Sequence, residues 1–422
     1  MNIPPELTFE VLVRLPLKSL ARFRSVRKEW KLVIDSEFFR DCFMSHNSSS
    51  VSWSIIQTRP HKLTLEIVGH HGCKTWGLTR SPGSLVGFFA DTTIKRLRVL
   101  ACTDGLVLIY TETSYGTPMH YVGNPLFQEW CPIPLPSYFY LQSVERIRNH
   151  QRFNDSALVI KMQSGAVVSY KVVWLFPRNS TTIDFLIYSS DTGMWEARIA
   201  TCLHSSFWFS HHKPIALNGI LHWLCNFSTS FVAYDFYGGH DDYACHIISF
   251  PDCEKDDDQL RRFRRTLSTS DGSIVYFNEF GENGNRRLRV WRLVKYTGGP
   301  EAWQLFWEVS LASVIELGID YFPVVMHPLK SEIIYLWSRN KKGMVLFNLR
   351  TNVFSLHKES EDETKCMDGC TLSFNRCSEY METIHNYGGP NYLLASQYVL
   401  PRWLHRLPRP QPSSLLFSLL ST

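Results

Sequence analysis

Two textures of apolar and polar positions divide the chain. Over residues 1–45 the apolar positions recur at helical spacing. Leu7, Val11 and Leu15 fall at i, i+4 and i+8, with Leu12 beside them, and form one stripe. Pro5 suits the first turn of a helix, where its missing N–H would have no partner anyway. Glu6 and Glu10 lie where the helix dipole favours negative charge. Pro16 pushes Leu15 out of the helical region, so the first helix is expected to end near Arg14. A second short helix is expected to follow Pro16 and to include Leu20 and Phe23. A third, capped by Ser25, would carry Val26, Trp30, Val33 and Ile34 on one face.

From residue 62 to 400 the period changes. Short runs rich in Val, Ile, Tyr, Phe and Trp alternate with Gly, Asn, Asp and Pro turns, as in Gly105–Tyr110, Phe185–Tyr188, Ile220–Leu224 and Ile333–Trp337. Many short strands with few helical stretches predict a sandwich, barrel or propeller. A degenerate repeat runs through them. Asp104-Gly105, Asn218-Gly219 and Asp271-Gly272 each open an apolar strand through a tight turn. Other pairs close on a turn followed by an aromatic: Asn124-Pro125 before Trp130, Asp191-Thr192-Gly193 before Trp195, and Asn348 before Phe354. The 53 residues from Asn218 to Asp271 approach the roughly 50 of a kelch-size propeller blade. The double glycines at 238–239, 298–299 and 388–389 lack the Tyr and Trp of a true kelch repeat, so the pattern is kelch-like at most. Residues 46–61 read as a linker. The prolines at 408, 410 and 412 predict a disordered tail over 401–422.

Composition sharpens this picture in a few places. The 14% aromatic content suits half-buried pleated surfaces. A net charge of +5 is too small to call for nucleic acid. No apolar leader and no run of about 18 apolar residues is present, so neither secretion nor a membrane span is expected. The 11 cysteines are odd in number and contain no C-x-x-C pair, which fits free thiols in the cytoplasm or nucleus. Arg261–Arg265 follows the acidic stretch 254–258 and is expected to be a solvated element with local ion pairs. His240, Asp241, Asp242, Cys245 and His246 could ligate metal but read better as a solvated turn. Cys366, Cys370 and Cys377 are spaced unlike a zinc knuckle. No G-x-S-x-G elbow, phosphate loop or dinucleotide fingerprint occurs, so no catalytic residue and no cofactor is expected.

A unit of about 40 residues rarely holds itself together without a staple or a partner. Periodicity leaves open whether the helices cap the downstream strands or dock elsewhere. The spelling adds more. Ile3-Pro4-Pro5-Glu6-Leu7, then Phe9 through Leu20 with Leu15-Pro16-Leu17-Lys18-Ser19-Leu20, then Arg22 through Trp30 with Val26-Arg27-Lys28-Glu29-Trp30, resembles the plant F-box to about Phe39. Ser25 and Arg27 replace frequent cysteines, and Ser36 replaces a frequent proline. The strand region resembles the F-box-associated domain of the same plant proteins through Cys102–Val107, Gly123-Asn124-Pro125 with Trp130 and Pro134, and Leu217–Trp223.

The resemblance implies a three-helix F-box over 1–45 followed by a mainly-β, kelch-like propeller over 62–400. It also implies a function: substrate receptor of a Skp–cullin–F-box ubiquitin ligase. The docking residues carried over for the Skp-type adaptor are Pro4, Leu7, Leu12, Leu15, Pro16, Leu20, Val26 and Trp30. Each could instead fill the module's own core. For Val26 and Trp30 the two roles stand level; for Pro4, Leu7, Leu15 and Pro16 the interface is favoured, because the N-terminal half of an F-box faces its partner. Cullin and RING subunits would follow through the adaptor, with a protein substrate held by the propeller. A propeller that binds protein or carbohydrate without any ligase is the alternative.

Overall fold

A computed structural model describes residues 4–47, 53–58, 65–68, 94–125, 127, 129–136, 156–163, 165–177, 181–202, 214–224, 229–238, 244–252, 265, 267–281, 286–297, 300–311, 321–338, 343–356, 395–399, 403–404 and 406–410.

The first of these stretches is helical. α1 (Pro5–Val13) ends with Arg14 as its C-cap, as Pro16 requires. α2 (Leu17–Phe23), α3 (Lys28–Ile34) and α4 (Glu37–His46) follow. Four helices stand where three were expected. Ser36 starts the extra one: its hydroxyl oxygen accepts from the Phe39 N–H at 3.2 Å, satisfying one orphan donor of α4. Ser25 does not cap α3. Its N–H and that of Val26 bond back to Arg22 and Phe23, which closes α2 with a tightened turn. Arg27 is therefore the N-cap of α3, and Val26 lies outside the helix.

The rest of the described chain is mostly β and propeller-like. Five four-stranded antiparallel meanders follow one another. The first is β3 (Ile94–Thr103), β4 (Leu106–Thr113), β5 (Pro118–Asn124) and β6 (Glu129–Ile133). The second is β7 (Ser156–Gln163), β8 (Ala166–Pro177), β9 (Thr182–Ser189) and β10 (Trp195–Thr201). The third is β11 (Ile215–Leu217), β12 (Ile220–Leu224), β13 (Ser230–Asp235) and β14 (His246–Ser249). The fourth is β15 (Leu267–Ser270), β16 (Ser273–Phe280), β17 (Arg287–Leu293) and β18 (Trp303–Ser310). The fifth is β19 (Tyr321–Met326), β20 (Ile333–Ser338), β21 (Gly343–Asn348) and β22 (Val353–Leu356).

A three-stranded sheet joins the two ends of this region. β1 (Trp53–Thr58) lies between β2 (Leu65–Val68) and β23 (Ala395–Val399). β1 thus falls inside the segment expected to be linker. β1 and β23 are antiparallel, with Trp53 opposite Val399.

The repeat read from the sequence is a repeat of turns. Asp104-Gly105, Asn218-Gly219 and Asp271-Gly272 join the first strand of a sheet to its second, and all six residues have positive φ, between 39° and 82°. Two consecutive left-handed residues make the primed turn whose twist matches the strands it joins. Gly165 fills the same place in the second sheet at φ 74°. The turn-plus-aromatic signature marks the third-to-fourth strand connection. There Phe347 and Phe354 stack at 3.9 Å across β21 and β22. Gly123 faces Trp130 across β5 and β6, and a Cβ there would sit inside the indole ring. The glycine of the Gly-Asn-Pro run is thereby a packing requirement of the tryptophan that follows it.

The first strands of successive sheets touch in order: β3 with β7, β7 with β11, β11 with β15, β15 with β19. β23 lies against β3. Gln397 of β23 ties this inner set together. Its Nε2 donates to the Thr269 and Met326 carbonyls, and its Oε1 accepts from the Thr269 hydroxyl at 2.6 Å.

Candidate functional site

The helical module buries one set of apolar side chains and presents another. Leu12, Val13, Leu17, Leu20, Ile34, Phe39 and Phe43 are buried together. Leu7, Val11, Val26, Leu32 and Phe38 are each more than half exposed. Leu7 and Val11 are four residues apart, so they share one face of α1. The eight expected docking residues therefore fall into three groups. Pro4, Leu7 and Val26 face solvent; Leu15, Pro16 and Trp30 are half-buried; Leu12 and Leu20 lie within the module's core. Trp30 packs edge-on against Phe23 at 5.1 Å, and the Arg27 guanidinium sits 5.4 Å from the indole centroid. Val11 was read only as part of the α1 stripe, and Leu32 and Phe38 were not singled out from the sequence. The signal for Leu32 and Phe38 was an apolar residue at a position where the helix's buried stripe does not pass.

The other side of the module meets the sheets. Phe43 and Phe39 lie 5.3 and 6.1 Å from the ring of Trp403. Met44 approaches the β7–β8 turn, 3.6 Å from where a Cβ on Gly165 would stand. Trp403 and Leu407, within the segment expected to be a disordered tail, are buried, and residues 401–402, 405 and 411–422 lie outside the described residues. Proline lacks the N–H needed for a ladder, but it does not prevent apolar side chains on an extended segment from packing.

Within the sheets, Trp130 and Trp223 are buried as expected of strand core. Trp195 is half-buried; it packs 4.7 Å from Trp174, and its Nε1 donates to the Pro134 carbonyl at 2.6 Å, linking the second sheet to the first. His222 is completely buried. Its Nδ1 is 3.1 Å from the Ile215 carbonyl, which can only accept, so Nδ1 carries the proton and Nε2 accepts from the Tyr296 hydroxyl at 2.9 Å. Burial pushes its pKa down to about 4. His120, against Tyr110 and Trp174, is pushed down to about 4 for the same reason.

The metal and basic candidates resolve differently. Among the described residues no group of three or more His, Cys, Asp or Glu could hold a metal ion. His240, Asp241 and Asp242, and Cys366, Cys370 and Cys377, lie outside the described residues. His246 is on β14, and the Cys245 N–H bonds to the Thr201 carbonyl. Arg261–Arg264 also lie outside the described residues, while the Arg265 side chain is only 8% exposed and not solvated. Its guanidinium pairs with Asp252 at 3.0 Å and sits over Phe250, and the second Asp252 oxygen accepts from Tyr276 at 2.9 Å. Burial is tolerated because the carboxylate is fully partnered. Among the described residues no helix is long and apolar enough to cross a membrane.

A helical module bearing the F-box spelling, joined to a propeller-like array of four-stranded meanders, defines an F-box protein with a β-propeller. The sequence model of the family described as "F-box protein At3g26010-like, beta-propeller" matches residues 51–409, and the chain belongs to that family. The putative F-box protein At3g23950 of Arabidopsis thaliana is 79% identical, covering 98% of this chain and 100% of that protein. The putative F-box/kelch-repeat protein At4g22430 and the F-box protein At1g49990, from the same plant, are each 33% identical. Both matches cover 95% of this chain, with 91% and 97% of the respective relatives.

Proposed function

We propose that this chain is the substrate receptor of a Skp–cullin–F-box ubiquitin ligase in the cytoplasm or nucleus. One observation carries the reading: the helical module buries Leu12, Leu17, Leu20, Ile34, Phe39 and Phe43 in a core shared with the sheets and still presents Leu7, Val11, Val26, Leu32 and Phe38 to solvent. Apolar groups concentrated on so small a unit mark an interaction surface. The family's F-box identity makes the Skp-type adaptor the partner, with Pro4, Leu7 and Val26 at the contact and Leu15, Pro16 and Trp30 at its half-buried margin. Leu12 and Leu20 act from within, by shaping the helices that present the others.

Cullin and RING subunits are recruited through the adaptor. This chain contributes proximity: holding a protein substrate beside the charged conjugating enzyme makes a bimolecular transfer effectively intramolecular. The chain needs no nucleophile, metal or cofactor of its own for that. The strand order supports a substrate position at one end of the array. The helices sit at the end that carries the β3–β4 and β7–β8 turns, while the connections from one sheet to the next leave from the other. In this reading the substrate is held at that far end, clear of the adaptor. The contacts from β3 through β19 to β23 support reading the array as a closed six-bladed propeller.

The test is co-precipitation from plant cells. Wild-type protein should bring down adaptor and cullin, and Leu7→Asp with Val26→Asp should lose both at an unchanged melting temperature. Full retention of adaptor by the double variant would overturn the assignment.

A further inference from the structure

We propose that residues 403–404 and 406–410 form a strap that locks the helical module onto the sheets, with Trp403 as its fastening and Leu407 and Pro410 as its anchor. The strap begins at a fixed point. β23 is held by the Gln397 bonds to β15 and β19, and the Tyr398 hydroxyl donates to the Gly105 carbonyl at 3.4 Å. Four residues beyond β23, Trp403 places its ring against Phe39 and Phe43, the two fully buried aromatics of α4. These rings share one apolar cluster with Val99, Val107 and Tyr398 of the sheets.

The segment then leaves the helices. Leu407 packs into a different cluster, with residues of the first and second sheets such as Leu106 and Tyr170, and its N–H donates to Glu129 Oε2 at 3.0 Å. Pro410 closes over Gly193, where a Cβ would lie only 3.0 Å from the proline ring. Gly193 is at φ 70°, so both its conformation and the strap exclude a side chain. Pro408 and Pro410 restrict φ and carry no N–H. Such a segment loses little entropy on ordering and leaves few donors to satisfy.

The strap therefore reaches from β23, past α4, to two consecutive sheets. It fixes the direction in which the exposed face of the helices points relative to the array. The tether stands on these contacts alone. Its consequence, a set distance between adaptor and substrate, rests on the ligase reading above.

Amide hydrogen exchange on the full-length chain tests the tether directly. In Trp403→Ala the amides of Glu37–His46 should exchange about a hundredfold faster, about 2.8 kcal/mol at about 1.4 kcal/mol per tenfold, while β12, β13, β16 and β17 keep their wild-type rates. Trp403→Phe should restore most of the protection, because a smaller ring can still reach Phe43. Trp403→Leu serves in the same way as the alanine variant if the latter does not fold. Adaptor affinity should survive in all three, which separates failure of the strap from failure of the ligase reading. Unchanged exchange in α4 would overturn the proposal. So would equal acceleration across all sheets, because Trp403 would then be ordinary core.

Discussion

The helical module and the third and fourth sheets treat large apolar side chains in opposite ways. In the sheets, Trp223, Phe231, Tyr234, Tyr276 and Phe277 lie on second and third strands and are almost wholly buried. Each second strand is covered on both faces, β16 along nearly its whole length. In the helices a comparable supply of apolar residues is split, and Leu7, Val11, Val26, Leu32 and Phe38 remain in solvent. A meander repeated five times has neighbours of its own kind to cover each face. A short four-helix module has only one side on which the sheets can cover it, and Trp403 occupies that side. The difference separates apolar surface that the chain satisfies internally from apolar surface left in solvent, which we assign to the adaptor.

The contrast can be broken most severely from the sheet side. Trp223→Ala should cost about 3–5 kcal/mol through lost burial and the cavity left behind, seen as a fall in the urea midpoint, with adaptor affinity per folded molecule unchanged. A variant of wild-type stability would move Trp223 out of the core.

Acid should weaken the sheets next. His120 and His222 have folded-state pKa values lowered to about 4 by burial, whereas in the unfolded chain they titrate near 6.5. Above pH 6.5 both states are neutral and the histidines make no difference. As pH falls from 6.5 towards 4, only the unfolded state binds the protons, so stability drops by up to about 1.4 kcal/mol per pH unit for each histidine and levels off below 4. His222→Gln should flatten the urea-midpoint profile across that window. An equally steep profile in the variant would clear His222 of the effect.

From the helical side the expected result is reversed. Leu7→Ala should leave the melting transition within about 0.5 kcal/mol of wild type, because the side chain is exposed. In an adaptor titration it should weaken binding by about 2 kcal/mol, close to thirtyfold, as truncated interface anchors commonly do. Loss of stability without loss of affinity would make Leu7 part of the module's fold.

The mildest probe is Ser36→Ala, which removes the cap of α4 at a cost of about 1 kcal/mol. Because α4 carries Phe39 and Phe43, thermal unfolding followed by Trp403 fluorescence should register it, while the acid profile of the sheets stays the same.

Local patterns in the chain account for much of this architecture. The primed turns at Asp104-Gly105, Asn218-Gly219 and Asp271-Gly272, the end of α1 before Pro16 and the second strands such as Leu106–Thr113 were legible because each depends on residues a few positions apart. The start of α4 was not legible from the apolar spacing, although Ser36 is a good cap. The helical stripe could not sort Leu12 and Leu20 from Leu7 and Val26, since periodicity names a face and not what lies against it.

The sequence by itself determined the two textures, their order, the turns and the F-box spelling, all of which are short-range facts. Tertiary structure alone decided the rest: that β1 pairs with β23 across the length of the chain, that Arg265 is buried against Asp252, and that the proline-rich segment after β23 is a strap. Trp403 has no meaning within its own neighbourhood. Its partners Phe39 and Phe43 lie more than 350 residues away in sequence. Only the packing of the segment after β23 against α4, which brings residues remote in sequence to one place, makes the burial of all three rings favourable together.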